Sequence, residues 1–343
     1  MKCNEQQSGV SQADTVGFLL VPDFSMIAFT AAVEPLRLAN HISGKELYRW
    51  VLLSPAGGVQ RASNGIGICV DHSIADAIAD CPPLSTVMVC SGIGGHWYED
   101  RAMFSWMRRS AAQGIAFGAL CTASHILARA GLLNGYRCTI HWENMAGFAE
   151  TFPEIEATGE LFTIDRNRFT CAGGTAATDM MLHLIAARHG EKLAMDIAEQ
   201  LLHTKIRAGS IRQQEELQAN PVLDHEDLHA AVAVMQANIE EPLDLLTLAA
   251  ELGQSRRNLE RLFRKYMNCS PAKYYLGLRM KRARQLLCQT RMSVMEVSIS
   301  CGFISATHFS KCYRDHFGIA PRSDRQSQRH SPLAAAHEFA GLT

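Results

Sequence analysis

Long apolar runs are missing from this chain of 343 residues. No stretch reaches the 18 consecutive apolar residues that mark a membrane-spanning helix, so no membrane partner is expected. The opening residues, MKCNEQQSGVSQADT, are polar and lack the apolar core of a signal peptide, and we interpret residues 1–14 as a disordered tail. The sequence therefore predicts a cytoplasmic protein.

Cysteine spacing excludes two further kinds of site. The 11 cysteines are odd in number and none forms a CxxC pair. This pattern argues for reduced thiols in a cytoplasm and against a disulfide framework. His and Cys nowhere take the spacing of a structural zinc site. We therefore expect no metal and no cofactor.

Charge is nearly balanced overall but unevenly distributed. The chain has a formal net charge of −1, whereas residues 254–329 contain 16 Lys or Arg against 4 Asp or Glu, a net of +12. The rest of the chain therefore carries −13. A compact basic segment on an acidic chain indicates a polyanionic partner, and double-stranded DNA is the expected one.

Two helix-turn-helix patterns follow one another in this basic segment. In the first, LTLAAELG ends at the turn residue Gly253, and Ser255 is placed to cap the helix RRNLERLFRKYM. In the second, VMEVSISCGF contains the turn residue Gly302, Ser305 is placed to cap ATHFSKCYRDHF, and Gly318 follows that helix. Apolar residues recur at helical spacing in both capped helices, so one face of each is expected to pack and the other to be exposed.

The exposed faces of these two helices are basic and polar, as reading of the major groove requires. The residues expected to contact DNA are Ser255, Arg256, Arg257, Asn258, Arg261, Arg264, Ser305, Ala306, Thr307, His308, Lys311 and Arg314. A solvated basic bundle without a nucleic-acid partner is the alternative, and the duplication of the motif argues against it.

A family resemblance rests on the second motif. The residues that match the family pattern are Gly302, Phe303, Ser305, His308, Phe309, Ser310, Tyr313, Arg314, Phe317, Gly318 and Pro321. The tandem motif resembles the AraC/XylS DNA-binding domain, which implies an all-α domain over residues 226–329, a double-stranded DNA operator and RNA polymerase as a partner. Two residues depart from the family pattern, because Ala320 stands where Ser is usual and Asp324 where Tyr is usual. The packing of the C-terminal helix is therefore the part in question.

Buried apolar runs alternate with helical patterns between residues 15 and 202. The runs are TVGFLLV, YRWVLLS, TVMVCS, IAFGALC and RFTCAGG. Strands alternating with helices of this length predict a parallel, doubly wound α/β sheet, in which ligands bind at the carboxyl ends of the strands. Residues 203–225 are polar and read as a linker, and residues 330–343 read as a second disordered tail.

The strand IAFGALC ends at Cys121, and a helix begins at once. This is the geometry of a nucleophile elbow, and a helix N-terminus there lowers a thiol pKa. Gly94 and Gly95 follow the preceding strand and are placed to direct backbone amides to the same point. His141 and Glu143 come at the next strand end, so thiol, imidazole and carboxylate are expected to converge. The open alternatives are a core cysteine, a structural histidine and a plain tight turn.

A second resemblance covers the region around this elbow. LLVPDFSMIAF, CSGIGG, ALCTASHILARAGLLNG, TIHWE and CAGGTAATDMMLHLI resemble the PfpI and class I glutamine amidotransferase-like family, which implies a flavodoxin-like fold over residues 15–202. In enzymes of that superfamily the elbow cysteine is a nucleophile helped by an acid from the first helix. That acid falls on Ala28 here, so we interpret Cys121 and His141 as vestigial and the domain as a ligand sensor.

The order of the two domains resembles the GlxA-like branch of AraC regulators. Within it, FSMIAFTAAVEPLRLAN and CTASHILARAGLLNGYRCTIHWEN look similar to regulators of glycine betaine, carnitine and arginine catabolism. A quaternary ammonium has no N–H to donate, so its site needs aromatic faces and a carboxylate. The expected ligand-binding residues are Phe29, Glu34, Gly94, Gly95, Trp97, Cys121, Thr122, His141, Trp142 and Glu143.

Together these patterns predict a ligand-responsive, sequence-specific transcriptional activator of a catabolic operon for a quaternary amine or amino acid. A homodimer is expected, because paired half-sites multiply specificity. Two other functions stay open: a cysteine-dependent amidase or hydrolase fused to a DNA-binding module, and an architectural DNA binder with a degenerate N-terminal domain.

Overall fold

The computed structural model describes residues 13–79, 81–213 and 225–330. The chain divides into a first unit, residues 1–141 and 154–211, and a second unit, residues 142–153 and 212–343. Residues 1–12, 214–224 and 331–343, which include most of the two predicted tails and half of the predicted linker, lie outside the described residues. Within the described part, no helix is long and apolar enough to cross a membrane.

The first unit is built on β-strands. Their bounds are β1 Asp14–Leu20, β2 Tyr48–Ser54, β3 Val59–Arg61, β4 Gly67–Cys69, β5 His72–Ser73, β6 Thr86–Cys90, β7 Ala116–Leu120, β8 Cys138–Thr139, β9 Ala157–Thr158, β10 Phe162–Asp165 and β11 Arg168–Cys171. Seven of them form one sheet in the order β10-β11-β7-β6-β1-β2-β5. β3 pairs with β4, and β8 with β9, outside it. The central strand β1 is buried along almost its whole length, as a continuous apolar run predicts.

The helices of the first unit flank this sheet. Their bounds are α1 Met26–Ser43, α2 Ile74–Ala79, α3 Arg101–Ala112, α4 Ser124–Arg129, α6 Ala176–His189 and α7 Glu191–Gln200, and a 3₁₀ turn, Cys121–Ala123, precedes α4. Helix starts follow their caps: the side chain of Ser25 accepts the Ala28 amide, and that of Asp100 accepts the Met103 amide. A single apolar cluster joins β1, α1, α6 and α7. The predicted doubly wound, flavodoxin-like α/β class is confirmed.

The sheet is not wholly parallel, contrary to the sequence prediction. β10 pairs antiparallel with β11, while the other pairs of the main sheet are parallel. The reason is local: β10 and β11 are joined by a tight turn in which Arg166 takes a φ of +54°, and a hairpin connection allows only antiparallel pairing. Strand β8 is only two residues long, and it pairs with the two residues of β9 outside the main sheet.

A buried carboxylate fixes the end of the first unit. Asp179 on α6 is fully buried and accepts hydrogen bonds from His203 Nε2 at 2.8 Å and from the Arg207 amide at 2.8 Å. The Arg207 guanidinium also donates to it, from Nη2 at 2.6 Å. Further along, the Leu161 amide donates to the carbonyls of Gly209 and Ile211. Residues 203–211, expected as linker, are therefore part of the first unit.

The second unit is all helical. Its helices are α5 Trp142–Thr151, α8 Glu226–Ala237, α9 Leu245–Glu251, α10 Arg256–Met267, α11 Pro271–Gln289, α12 Val294–Ser300, α13 Ala306–Phe317 and α14 Pro321–His330. Two buried clusters hold it together. One joins α8, α9 and α10 to the start of α11, and the other joins the rest of α11 to α12 and α13. The long helix α11 thus connects the two helix-turn-helix motifs.

Helix α5 belongs to this second unit, although its sequence lies inside the range predicted for the sensor. Ala146 is buried in the same cluster as Met280 and Phe309. At Gly147 the backbone comes so close that an added Cβ would lie 2.8 Å from Cβ of Gln289. Small residues on one face of α5 explain this packing, which the helical pattern alone did not indicate.

The two departures from the family pattern at the C-terminus are accommodated. Asp324 is 1% exposed. Its carboxylate accepts a hydrogen bond from the hydroxyl of Tyr313 at 2.7 Å and pairs with Arg284 Nε at 2.9 Å. Since Tyr313 lies on α13 and Arg284 on α11, Asp324 attaches α14 to both. Ala320 directly precedes the first residue of α14, and its carbonyl accepts the Asp324 amide.

Candidate nucleic-acid interface and elbow site

The two helix-turn-helix motifs have the caps that the sequence predicts. The side chain of Ser255 accepts the amide of Asn258, and that of Ser305 accepts the amide of His308. Gly253 and Gly302 take φ values of +62° and +74°, which a side chain would strain. Each turn glycine therefore lets the chain reverse directly before a new helix begins.

Helix α10 has one buried apolar face and one exposed basic face. Leu259, Leu262 and Phe263 are fully buried or nearly so. The predicted contact residues that are exposed on this motif are Ser255, Arg256, Arg257, Arg261 and Arg264, and Asn258 is half-buried. Asn258 is already engaged, because its amide donates to Gln254 Oε1 and its carbonyl oxygen accepts Arg261 Nη2 at 2.7 Å.

Helix α13 repeats this division with a smaller polar face. Phe309 and Tyr313 are buried. Ser305, Thr307, His308, Lys311 and Arg314 are exposed, and Ala306 is half-buried. A groove of about 700 Å³ runs along this helix between α12 and α14. Ser310 and Arg322 also line it. Sequence reasoning missed both as candidate contacts; helical spacing from Thr307 indicates Ser310, whereas no motif indicates Arg322.

The relative placement of the two capped helices depends on α11. Arg279 donates from its guanidinium to the carbonyls of Cys301 and Gly302, each at 2.8 Å, and lies 4.1 Å from the ring centroid of Phe303. On the other side, an added Cβ on Gly302 would lie 2.5 Å from the ring of Pro242. The turn of the second motif is therefore fixed both to α11 and to the loop before the first motif.

The backbone of Cys121, at the elbow of the first unit, is strained, as the backbone of a nucleophile elbow is. Cys121 follows β7 directly and takes a φ of +64°, in the left-handed region that L-residues avoid. Such a conformation costs on the order of 1–3 kcal/mol and persists where the surroundings impose it. Its side chain lies over Gly173, where an added Cβ would come within 2.7 Å of Cβ of Cys121. The strand-to-helix turn predicted from the sequence is present.

Of the two glycine amides predicted to point at the elbow, that of Gly95 is engaged within its own turn. The Gly95 amide donates to the carbonyl of Gly92, and the next turn is closed by Trp97 donating to Gly94. Thr122 donates its hydroxyl to the Gly92 carbonyl at 2.6 Å and is 4% exposed. Gly95 and Thr122 therefore hold the turn in place, because the absent side chain of Gly95 makes room for the Thr122 hydroxyl.

His141 lies next to the elbow through the backbone. Its amide donates to the carbonyl of Cys121 at 3.4 Å. Burial lowers the pKa of the His141 imidazole, so the ring is neutral at pH 7. At the position where related enzymes carry an acid, Ala28 is 1% exposed, and the first turn of α1 contains no carboxylate.

Two predicted ligand contacts on α1 are engaged elsewhere. Phe29 is 6% exposed and packs edge-on against Phe18 and Phe24 at centroid distances of 5.6 and 5.8 Å. Glu34 pairs with Arg37 at 2.7 Å on the exposed side of the helix. The structure therefore gives Phe29 a core role and Glu34 a surface ion pair.

Trp142 and Glu143 start helix α5 and so belong to the second unit. The carbonyl of Glu143 accepts a hydrogen bond from Gln289 Nε2 at 2.8 Å, and burial raises the pKa of its carboxyl. Of the three groups predicted to converge, Cys121 and His141 belong to the first unit and Glu143 belongs to the second. Trp97 remains as a half-buried aromatic residue on the glycine turn.

Sequence reasoning missed the residues that brace this turn. Arg129 on α4 donates to the carbonyls of His96 and Tyr98 and lies 3.8 Å from Glu99. On the same helix His125 is 1% exposed, with its ring 6.1 Å from that of His96. The sequence offered one signal: both residues lie on the helix that begins at the elbow. In the described part of the chain, no group of His, Cys, Asp and Glu is arranged to hold a metal ion.

Comparison with known proteins agrees with both halves of this description. Residues 248–327 match the helix-turn-helix domain family HTH_18, and residues 15–187 match the DJ-1/PfpI family. The HTH-type transcriptional regulator GbdR of Pseudomonas aeruginosa is 49% identical over 314 residues, covering 92% of this chain and 84% of GbdR. The regulator CdhR of the same species is 41% identical over 308 residues, covering 90% of each chain.

A solved structure supports the fold of the first unit. An AraC family transcriptional regulator from Pseudomonas putida superposes with a TM-score of 0.50 at 30% identity, covering 55% of this chain and 99% of that one.

Proposed function

Because the chain belongs to the family of HTH-type transcriptional regulators that join a DJ-1/PfpI domain to an AraC-type DNA-binding domain, we propose how its two units divide the work. The second unit binds a double-stranded DNA operator by placing α10 and α13 in successive major grooves. One observation supports this most directly: α10 and α13 are both capped, both expose a basic face, and both pack against α11. Bidentate side chains such as Arg257 and Arg261 then read bases, while Lys311 and Arg314 reach phosphates or base edges.

The first unit senses a small molecule at the elbow. Support comes from the arrangement at Cys121: its backbone is strained, its carbonyl accepts the His141 amide, and Ala28 stands where the enzymes that this domain resembles carry an acid. A thiol that lacks this support is a weak nucleophile, so binding is favoured over turnover. The ligand contacts that we propose are Cys121, His141 and Trp97, and the neighbouring Thr122 and Gly95 hold the glycine turn in place.

The ligand class that we propose is a quaternary amine or an amino acid. A quaternary ammonium binds through an aromatic face, since it has no N–H to donate. Trp97 is half-buried on the glycine turn that the Thr122 hydroxyl bonds, and we propose it as that aromatic face. Trp142 and Glu143, predicted as contacts, lie in the second unit and are not needed for this version of the site.

Activation requires that ligand binding favour one arrangement of the protein on DNA. The shift in operator affinity cannot exceed the ligand's preference for that arrangement. We propose a homodimer that contacts paired half-sites and recruits RNA polymerase to a catabolic operon, acting in the cytoplasm.

Two measurements test this function. An operator is first selected from a random duplex library with the full chain, and a specific consensus with two half-sites is expected. The full chain is then screened by thermal shift against glycine betaine, carnitine, choline and arginine, where at least one should raise the melting temperature. Trp97→Phe should keep that response and Trp97→Ala should lose it. Selection of no consensus would contradict the DNA-binding function, and no thermal response would contradict the ligand class.

A cysteine-dependent amidase or hydrolase is the second candidate, and the strained φ of Cys121 is the observation that favours it. Iodoacetamide modification of Cys121 near pH 7, followed by assay on simple amides, decides between the two. Rapid alkylation together with turnover that is lost in Cys121→Ala would establish the enzyme. We expect no amide turnover in the wild type, and therefore no difference between the wild type and Cys121→Ala.

A further inference from the structure

A cavity of about 340 Å³ lies at the amino end of the main sheet, at the opposite end of the strands from the elbow. Among its lining residues, Asp14, Tyr48 and Thr86 begin β1, β2 and β6, and Arg188 is in the last turn of α6. Thr86 precedes Cys90, at the elbow end of β6, by four residues, so the cavity is about 13 Å from the elbow along the strands. Its volume is at the small end of the range of ligand pockets, which suits a small molecule.

The inner wall of this cavity is apolar. It is formed by side chains of the sheet and of the two helices that cover it, among them Val16, Leu36, Met88, Phe169, Met181 and Ile185. An apolar group gains free energy when it leaves water for such a space, whereas a polar group loses its hydrogen bonds to water there. The part of a ligand that enters the cavity must therefore be apolar, and its polar group must stay at the rim.

A buried tyrosine at the rim has an unpartnered hydroxyl. Tyr48 is 7% exposed, and its ring packs edge-on against that of His189 at a centroid distance of 5.3 Å. Its backbone bonds to Asn40, but no described residue forms a hydrogen bond with its hydroxyl. Buried tyrosine hydroxyls usually have a partner. Burial and the charge of Asp14 raise the pKa of Tyr48 to about 12, so the hydroxyl is protonated at pH 7 and free to donate.

The charged groups at the rim neutralise each other. Nη2 of Arg188 lies 2.8 Å from Oδ1 and 2.7 Å from Oδ2 of Asp14, so both carboxylate oxygens are engaged and the pair has no net charge. A charged head group would meet a like charge as well as an opposite one, whereas an uncharged head group meets no such repulsion. The group left without a partner is the Tyr48 hydroxyl, which is a donor, so the head group that fits is an uncharged acceptor.

We propose that this cavity binds a second small molecule, with an apolar body and one uncharged head group whose oxygen accepts a hydrogen bond from Tyr48. A short aliphatic amide or ketone has this chemistry. The site is separate from the elbow and does not depend on the ligand class proposed there. One helix connects the two sites, because α6 begins two residues after Gly174, beside the elbow, and its last turn lines the cavity at Arg188.

The test is a titration of the full chain with hexanamide, followed by saturation-transfer NMR. Saturable binding is expected, and it should be tighter than that of hexanoate or hexylamine, which keep the apolar body but carry a charge. Tyr48→Phe removes only the unpartnered hydroxyl, so it should weaken hexanamide binding about 3- to 10-fold, the effect of one hydrogen bond, without lowering the melting temperature. Tyr136→Phe is the matched control: its hydroxyl donates to Asn167 at 3.1 Å, so this variant should lose stability and keep its affinity for hexanamide.

A second variant fills the cavity. Leu184 is half-buried in its lining, and Leu184→Trp should abolish hexanamide binding. If that variant does not fold, Tyr48→Phe alone decides the question.

Three results would overturn the inference. They are no saturable binding of hexanamide, an equal or higher affinity for hexanoate or hexylamine, and an affinity for hexanamide that is unchanged in Tyr48→Phe. The response to a ligand at the elbow is a separate readout, which Tyr48→Phe should keep and Trp97→Ala should lose. Failure of the elbow site and failure of this second site are therefore distinguishable.

Discussion

The side chain of Cys121 rests directly on the backbone of Gly173. A Cβ added at residue 173 would lie 2.7 Å from Cβ and 3.0 Å from Cα of Cys121. Gly173 also takes a φ of +93°. The strained Cys121 therefore packs against a glycine that is distant in sequence, and the missing side chain of Gly173 is what leaves room for it.

Substitution of Gly173 should disturb the elbow. Gly173→Ala combines left-handed strain with a clash against the backbone of Cys121, and we expect a loss of about 2–4 kcal/mol in the free energy of unfolding, measured by urea titration. Gly174→Ala is the matched control, because its φ is +56° but no atom lies within 4 Å of its added Cβ. It should cost only about 1 kcal/mol. Equal losses in the two variants would show that contact with Cys121 is unimportant.

The buried carboxylate of Asp324 should be critical for the second unit. Asp324→Asn removes the charge opposite Arg284, whose side chain is 11% exposed, and weakens the bond from Tyr313. Breaking one side of a buried pair typically costs about 3–5 kcal/mol. Asp315→Asn, at an exposed position on α13, is the control and should cost less than about 0.5 kcal/mol. A loss as small as that of the control would mean that the ion pair does not hold α14.

Features of the fold and of the site that depend on neighbouring residues could be predicted from the sequence, whereas features that depend on contacts between distant elements could not. Local patterns predicted the caps at Ser255 and Ser305, the turn glycines and the elbow at Cys121, because each depends on a few consecutive residues. The core role of Phe29 and the tether formed by Thr122 were not predictable, because they depend on contacts between distant elements. The same holds for α5, whose small residues Ala146 and Gly147 have meaning only beside α11.

Acid should destabilise the first unit through its buried imidazoles. Burial holds the pKa of His125 well below its usual value, with His96 and Arg129 lowering it further, and burial lowers that of His141. Below pH ~6.5 the unfolded chain binds protons that the folded chain does not, so the free energy of unfolding falls by up to about 1.4 kcal/mol per pH unit per histidine. This stability is present above pH ~6.5 and is lost as the pH falls.

The check is urea unfolding between pH 7.5 and 5.5. His125→Gln should flatten the pH dependence by up to one proton, and His41→Gln, at an exposed position, should keep the wild-type slope. An unchanged slope in His125→Gln would show that this imidazole does not resist protonation in the folded protein.

Loss of a basic side chain from a recognition helix should weaken DNA binding in a salt-dependent way. We expect Lys311→Ala and Arg256→Ala to reduce operator affinity about 5- to 30-fold, and a lost phosphate contact to lower the slope of log affinity against log salt by about 1. Lys45→Ala, on the first unit, is the charge-matched control and should bind as the wild type. Unchanged operator affinity in either recognition-helix variant would remove that residue from the interface.

The most direct test of the central claim is operator affinity with and without ligand. Fluorescence anisotropy of a labelled, selected operator is measured with the full chain, alone and with saturating glycine betaine, carnitine, choline or arginine. We expect at least one compound to change the affinity about 10-fold, within the usual range of allosteric coupling, and Trp97→Ala to lose this change while keeping the basal affinity. An affinity that no compound alters, or a response that survives unchanged in Trp97→Ala, would contradict the assignment of the first unit as a sensor acting through the elbow.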